Sequence, residues 1–183
     1  MIHLTRRRLL AGTAALPLPL MLGGCPAGTT LTPAQVVSYA QTAVSGLAGA
    51  FKALVAADPA LVPTATATAI VGYLNDAQVV AGGLSANLTA PAGATVVQQI
   101  DTDLNAVLNA LAAPPINGLI PAPFNEAIAA VAIVAPTLEA FVNQYLPAAP
   151  VAAASLARAK VAALAPAMTV PQAVAVLQGY AGK

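Results

Sequence analysis

Thr32-Pro33-Ala34-Gln35-Val36-Val37-Ser38-Tyr39-Ala40 opens the stretch on which the fold turns, and Asp58-Pro59 closes it. Thr32 and Gln35 stand at the spacing of a capping box, with Pro33 at the first helical position and Leu31 placed to staple onto Val36. Apolar residues then recur at 36, 40, 43, 44, 47, 51, 54 and 55. That recurrence follows one face of an α-helix for about six turns. Proline disfavours helical backbone in the residue before it, so Asp58-Pro59 predicts the stop.

The same rhythm continues outward. A second helix is expected from about Pro63 to Ala86, with Ile70, Leu74, Ala77, Ala81 and Leu84 on one stripe. Thr64, Thr66 and Thr68 weaken its first turn, and Gly82-Gly83 weakens its last. A third is expected from about Thr95 to Ala113. Val96, Val97, Ile100, Leu104, Val107, Leu108 and Leu111 make its apolar face, and Gln98, Asp101, Asn105 and Asn109 its wet face. After the proline-rich loop 114–123, a fourth helix reaches about Leu146, with Phe124, Ile128, Val131, Ala135, Leu138, Val142 and Tyr145 four and three apart. Pro136 inside it predicts a kink near Ala132. Two short helices are expected near 151–165 and 170–180, the second opened by Thr169-Val170-Pro171-Gln172. The Val-rich runs lack the alternation between hairpin turns that marks strands. The expected fold is all-α, an alanine-rich bundle of about four main helices plus two short C-terminal helices over 32–183.

Composition agrees and excludes several chemistries. The 183 residues are 58% hydrophobic and 7% charged, with one Cys, one His and no Trp. A single Cys makes no internal disulfide and no thiolate metal cluster, and a single His at position 3 makes no His-rich metal site. Seven basic residues against six acidic ones create no field for nucleic acid. The mean hydropathy of +0.79 is driven by alanine. The main helices are expected to keep polar stripes, and Pro166 and Pro171 break the apolar stretch near the C-terminus, which argues against a polytopic membrane protein.

The first residues read as an address. Arg6, Arg7 and Arg8 precede an apolar stretch from Leu9 to Leu22, interrupted by Pro17 and Pro19. At about 14 residues, roughly 21 Å of helix, it falls short of the roughly 20 residues of a membrane span. It fits the apolar core of a signal peptide, residues 1–24. Thr5-Arg6-Arg7-Arg8-Leu9-Leu10 resembles the twin-arginine motif, Ser/Thr-Arg-Arg-x-Phe-Leu-Lys, with Leu9 for Phe and Ala11 for Lys. The alternative is a Sec signal that carries three arginines.

Leu22-Gly23-Gly24-Cys25 resembles the bacterial lipobox, Leu-x-Gly/Ala-Cys, and stands directly after the apolar stretch. The resemblance implies that the Cys25 thiol receives diacylglycerol, that signal peptidase cleaves before Cys25, and that the new amine is acylated. One myristoyl chain binds a bilayer only marginally, at about 10⁴ M⁻¹, whereas two or three chains make release negligible. Residues 25–31 would then be the lipidated Cys and a short linker. In lipoproteins Asp after the Cys commonly marks inner-membrane retention; Pro26 stands there, which slightly favours the outer membrane. The expected location is the periplasmic face of the envelope. The expected partners are the membrane, the export machinery with signal peptidase, and an envelope protein.

The remaining inventory offers little for catalysis. The chain after residue 24 has no His. Asp101 and Asp103 lie about 200° apart around a helix and are expected on a solvated face. Asp101-Thr102-Asp103-Leu104-Asn105 opens like a calcium loop, but Ala106 and Ala112 occupy the places of its Gly and Glu. Ser38, Ser45, Ser85 and Ser155 fall in no nucleophile motif. Arg158 and Lys160 form a small basic pair that solubilises its helix, and Tyr39, Tyr73, Tyr145 and Tyr180 are scattered as core or rim residues. No catalytic residue, metal or cofactor is expected. The leading expectation is a non-enzymatic envelope lipoprotein, structural or interaction module. One alternative is a binder of small apolar ligands or lipid, with Gly46, Gly49, Gly82 and Gly83 leaving a groove, although the simpler reading of these glycines is close helix packing. Another is a phage-derived envelope or lysis accessory lipoprotein, which a holin or endolysin gene nearby would favour.

Overall fold

A computed structural model describes residues 32–84, 92–114, 116–145 and 168–182. The signal-peptide residues, Cys25, the Arg158–Lys160 pair and the helix expected near 151–165 lie outside them. The elements are α1 (Pro33–Ala57), α2 (Thr64–Gly83), α3 (Ala92–Ala112), a 3₁₀ turn (Ile116–Gly118), α4 (Ala122–Tyr145) and α5 (Val170–Tyr180). No strand occurs among the described residues. The fold is an all-α bundle.

Local chemistry sets most of the ends. The Thr32 N–H donates to Gln35 Oε1 at 2.9 Å, and Gln35 N–H donates to Thr32 Oγ1 at 3.3 Å, completing the box that opens α1. Asp58 closes it, its N–H donating to Leu54 O and its carboxylate accepting from Ala60 N–H. At α5 the Thr169 N–H donates to Gln172 Oε1 at 2.8 Å. Two boundaries differ from the sequence reading. α2 ends at Gly83, where paired glycines lack helix propensity. α3 begins at Ala92, earlier than Thr95, because Gly93 and Ala94 are already buried.

Each main helix packs on the next, and α4 packs back on α1, so the four form a ring in which α1 and α3 barely touch. α5 wedges between α1 and α4. The directions follow from named contacts. Gln41 Nε2, near the start of α1, donates to Ala81 O, near the end of α2, at 3.1 Å, so these helices run antiparallel. Gly46 and Gly49 face Leu177 and Tyr180 in the same order, so α5 runs parallel to α1. Tyr180 OH donates to Pro123 O at 2.9 Å, which sets α5 antiparallel to α4.

The core holds Leu47, Leu54, Ile70, Ile100, Leu104, Leu108, Leu138 and Leu177, all essentially without solvent contact. The apolar stripes expected on α1 and α2 are buried, Leu84 included, except for Val55 at the end of the α1 stripe, which is half-buried. α4 departs from expectation. Ala127 through Ala132 are all buried, more than a full helical turn, so this part of α4 keeps no polar stripe. It lies against α1, α3 and α5 together, and alanine lets three neighbours approach one helix. α4 continues through Pro136, which is exposed. By length and composition α1 and α4 are long and apolar enough to cross a membrane, but half of the apolar window of α1 and two-thirds of that of α4 are packed inside the bundle.

Candidate functional site

Three places in the bundle carry more than packing: a buried carboxyl on α3, the seam where α5 meets α1 and α4, and a groove between α1 and α2.

Asp103 is 6% exposed, and Asn105 8%. This overturns the expectation of a solvated face for Asp103 and of a wet position for Asn105. The signal was present in the spacing: Asp103 lies three residues after Ile100 and four before Val107, on the buried stripe of α3. Asp103 Oδ1 accepts from Gln99 Nε2 at 3.1 Å, while Oδ2 is buried with no hydrogen-bond partner. Burial holds the carboxyl above its usual range; Gln99 opposes the shift, and the negative charge of Asp76 on α2 adds to it. Asn105 is accommodated by donating to Asp101 O at 2.7 Å and to Asp101 Oδ2 at 3.0 Å. The carboxylates are thus not paired for acid–base work. Among the described residues no group of three His, Cys, Asp or Glu side chains is placed to hold a metal ion.

The four glycines proposed for a groove divide into two kinds. A Cβ on Gly46 would come within 2.6 Å of Leu177 O, and one on Gly49 would come closer still to Tyr180 O. These two exist so that α5 can lie against α1. Gly82 and Gly83 have open space around them and face no partner helix. The four therefore do not line one groove. The far end of the α5 seam is held by Tyr180, whose ring tilts against Phe124 at 6.3 Å between centroids. Burial raises the phenol above its usual range, with Glu126 adding to the shift.

The groove lies elsewhere, between α1 and α2, and has a volume of about 690 Å³. Gly49 reaches its edge; the other three glycines do not. Its charged wall residue, Lys52, was not singled out by the sequence reading. The signal for it is the helical spacing of Ser45, Ala48, Lys52, Val55 and Ala56 on one side of α1. Of the serines, Ser45 is turned back on its own helix, its Oγ donating to Gln41 O at 2.7 Å. No protein-family model, curated protein or solved structure matches this chain.

Proposed function

We propose that this chain is a lipid-anchored protein of the bacterial envelope whose helical body is a non-enzymatic structural or interaction module. The observation that carries the reading is Leu22-Gly23-Gly24-Cys25, placed directly after the apolar stretch and holding the chain's only cysteine. In this reading residues 25–31 are the lipidated Cys and a short linker of turn composition. The absence of Asp at position 26 slightly favours the outer over the inner membrane. The absence of His after residue 3 favours a binding or scaffolding role over catalysis.

Metabolic labelling with radioactive palmitate tests the anchor. The wild-type chain is expected to take up label and to fractionate with membranes. Cys25→Ser is expected to take up none and to remain as precursor. Equal labelling of both chains would remove the basis of this reading.

A further inference from the structure

The α1–α2 groove has the size of a small-molecule site, within the range of about 300–1,000 Å³ that such sites occupy. Ala48, Phe51 and Val55 form its α1 wall, and Ala67, Val71 and Leu74 its α2 wall. The two alanines end at Cβ, which leaves the space between the helices unfilled. Val71 is 45% exposed, so apolar surface stands open to solvent here.

Charge identifies the occupant. Lys52 lines the groove, is exposed, and is the only cationic side chain among the described residues. None of the six acidic side chains lines the groove. Among the described residues Lys52 has no ion-pair or hydrogen-bond partner. An ammonium is a point charge that pairs with a single carboxylate; lysine binds phosphate in the same way, but dedicated phosphate sites add the bidentate arginine fork or the free N–H groups of a helix N-terminus. The groove has no arginine on its walls, and the N–H of Ala67, in the first turn of α2, is taken by Pro63 O. We propose that it binds a free fatty acid, with the acyl chain between α1 and α2 and the carboxylate against Lys52. The proposal does not rest on acylation of Cys25.

The test uses the full chain in phosphatidylcholine nanodiscs and palmitate carrying a photoactivatable group near the chain end. Adducts are mapped by peptide mass spectrometry. They are expected on the two walls, within 48–55 and 67–74, and to be displaced by unlabelled palmitate but not by its methyl ester. Lys52→Gln is expected to lower labelling by the acid about threefold, within the range for an exposed ion pair, and to leave the weaker labelling by a methyl-ester probe unchanged. Ala67→Phe fills the groove and is expected to lower labelling at least tenfold. Ala48→Phe repeats the test from the other wall, and circular dichroism verifies that each variant is folded. The proposal is overturned by equal wild-type labelling by acid and ester, by adducts confined to other helices, or by stronger labelling of the walls by a lysophospholipid probe. Chain-to-chain cross-links through the groove that palmitate does not displace also overturn it, since they assign the groove to a second copy.

Discussion

Asp103 shows how one residue can oppose its surroundings and still be tolerated. Its carboxyl is buried on a helix face otherwise made of Ile100, Leu104 and Val107, with an amide on one oxygen and nothing on the other. An ionised carboxylate in such a place costs desolvation energy, so the folded chain holds the proton more tightly than the unfolded chain. The unfolded state therefore loses its proton first as pH rises. Stability falls from the ordinary carboxylate pKa upward, through the raised folded value. Asp103→Asn retains an acceptor for Gln99 and removes the titration. Urea denaturation is expected to find the variant more stable than wild type at pH 7, with the gap closing toward pH 3. A gap that grows on acidification would show that Asp103 stabilises the fold as a charged group.

At the scale of elements, α5 is the least self-sufficient helix and the most dependent on shape. It is short, and isolated helices of about this length are marginal in water. Its hold comes from the notch that Gly46 and Gly49 cut in α1, the burial of Ala173 and Leu177, and the Tyr180 hydroxyl on Pro123 O. Gly49→Ala puts a methyl group into the Tyr180 backbone and is expected to cost about 1–3 kcal/mol. Gly72→Ala, on the exposed side of α2 with open space around it, is expected to stabilise by about 0.5–1 kcal/mol. Thermal unfolding of the two single variants distinguishes a packing role from mere helix propensity. If both changes shift the midpoint upward, the notch is not needed.

At the scale of the whole molecule, the up-and-down ring makes mostly local contacts, which favours rapid folding. That property suits export of a folded body through the twin-arginine route proposed from Arg6 and Arg7. Guanidinium is a planar fork with several donors, and ammonium is not. Arg6→Lys combined with Arg7→Lys keeps the positive charge while removing the forks. This double change is expected to leave unprocessed precursor in the cytoplasm, seen by immunoblotting of cell fractions, whereas Arg8→Lys has little effect. Normal processing of the double variant would assign export to the Sec route and leave the lipid anchor intact.

Much of the architecture was legible along the chain, because helices are local objects. The capping residues Thr32 and Thr169, the stop at Asp58-Pro59, and the apolar stripes of α1 and α2 each depend on neighbours within a few residues. The placement of Cys25 after its apolar stretch is likewise a matter of linear order, which is why the anchor can be proposed from the residues alone. The partners of each face were not legible. Alanine suits both a buried position and an exposed one, so periodicity did not reveal that α4 is enclosed from Ala127 to Ala132. Glycine marks a close approach only when another backbone arrives. Gly46 and Gly49 meet α5, and Gly82 and Gly83 meet open space, although the four look alike in the sequence. The groove beside Lys52 is decided by the packing of α2 against α1. Those facings depend on contacts between residues far apart in the chain, where only the packed volume of the whole bundle selects which surfaces meet.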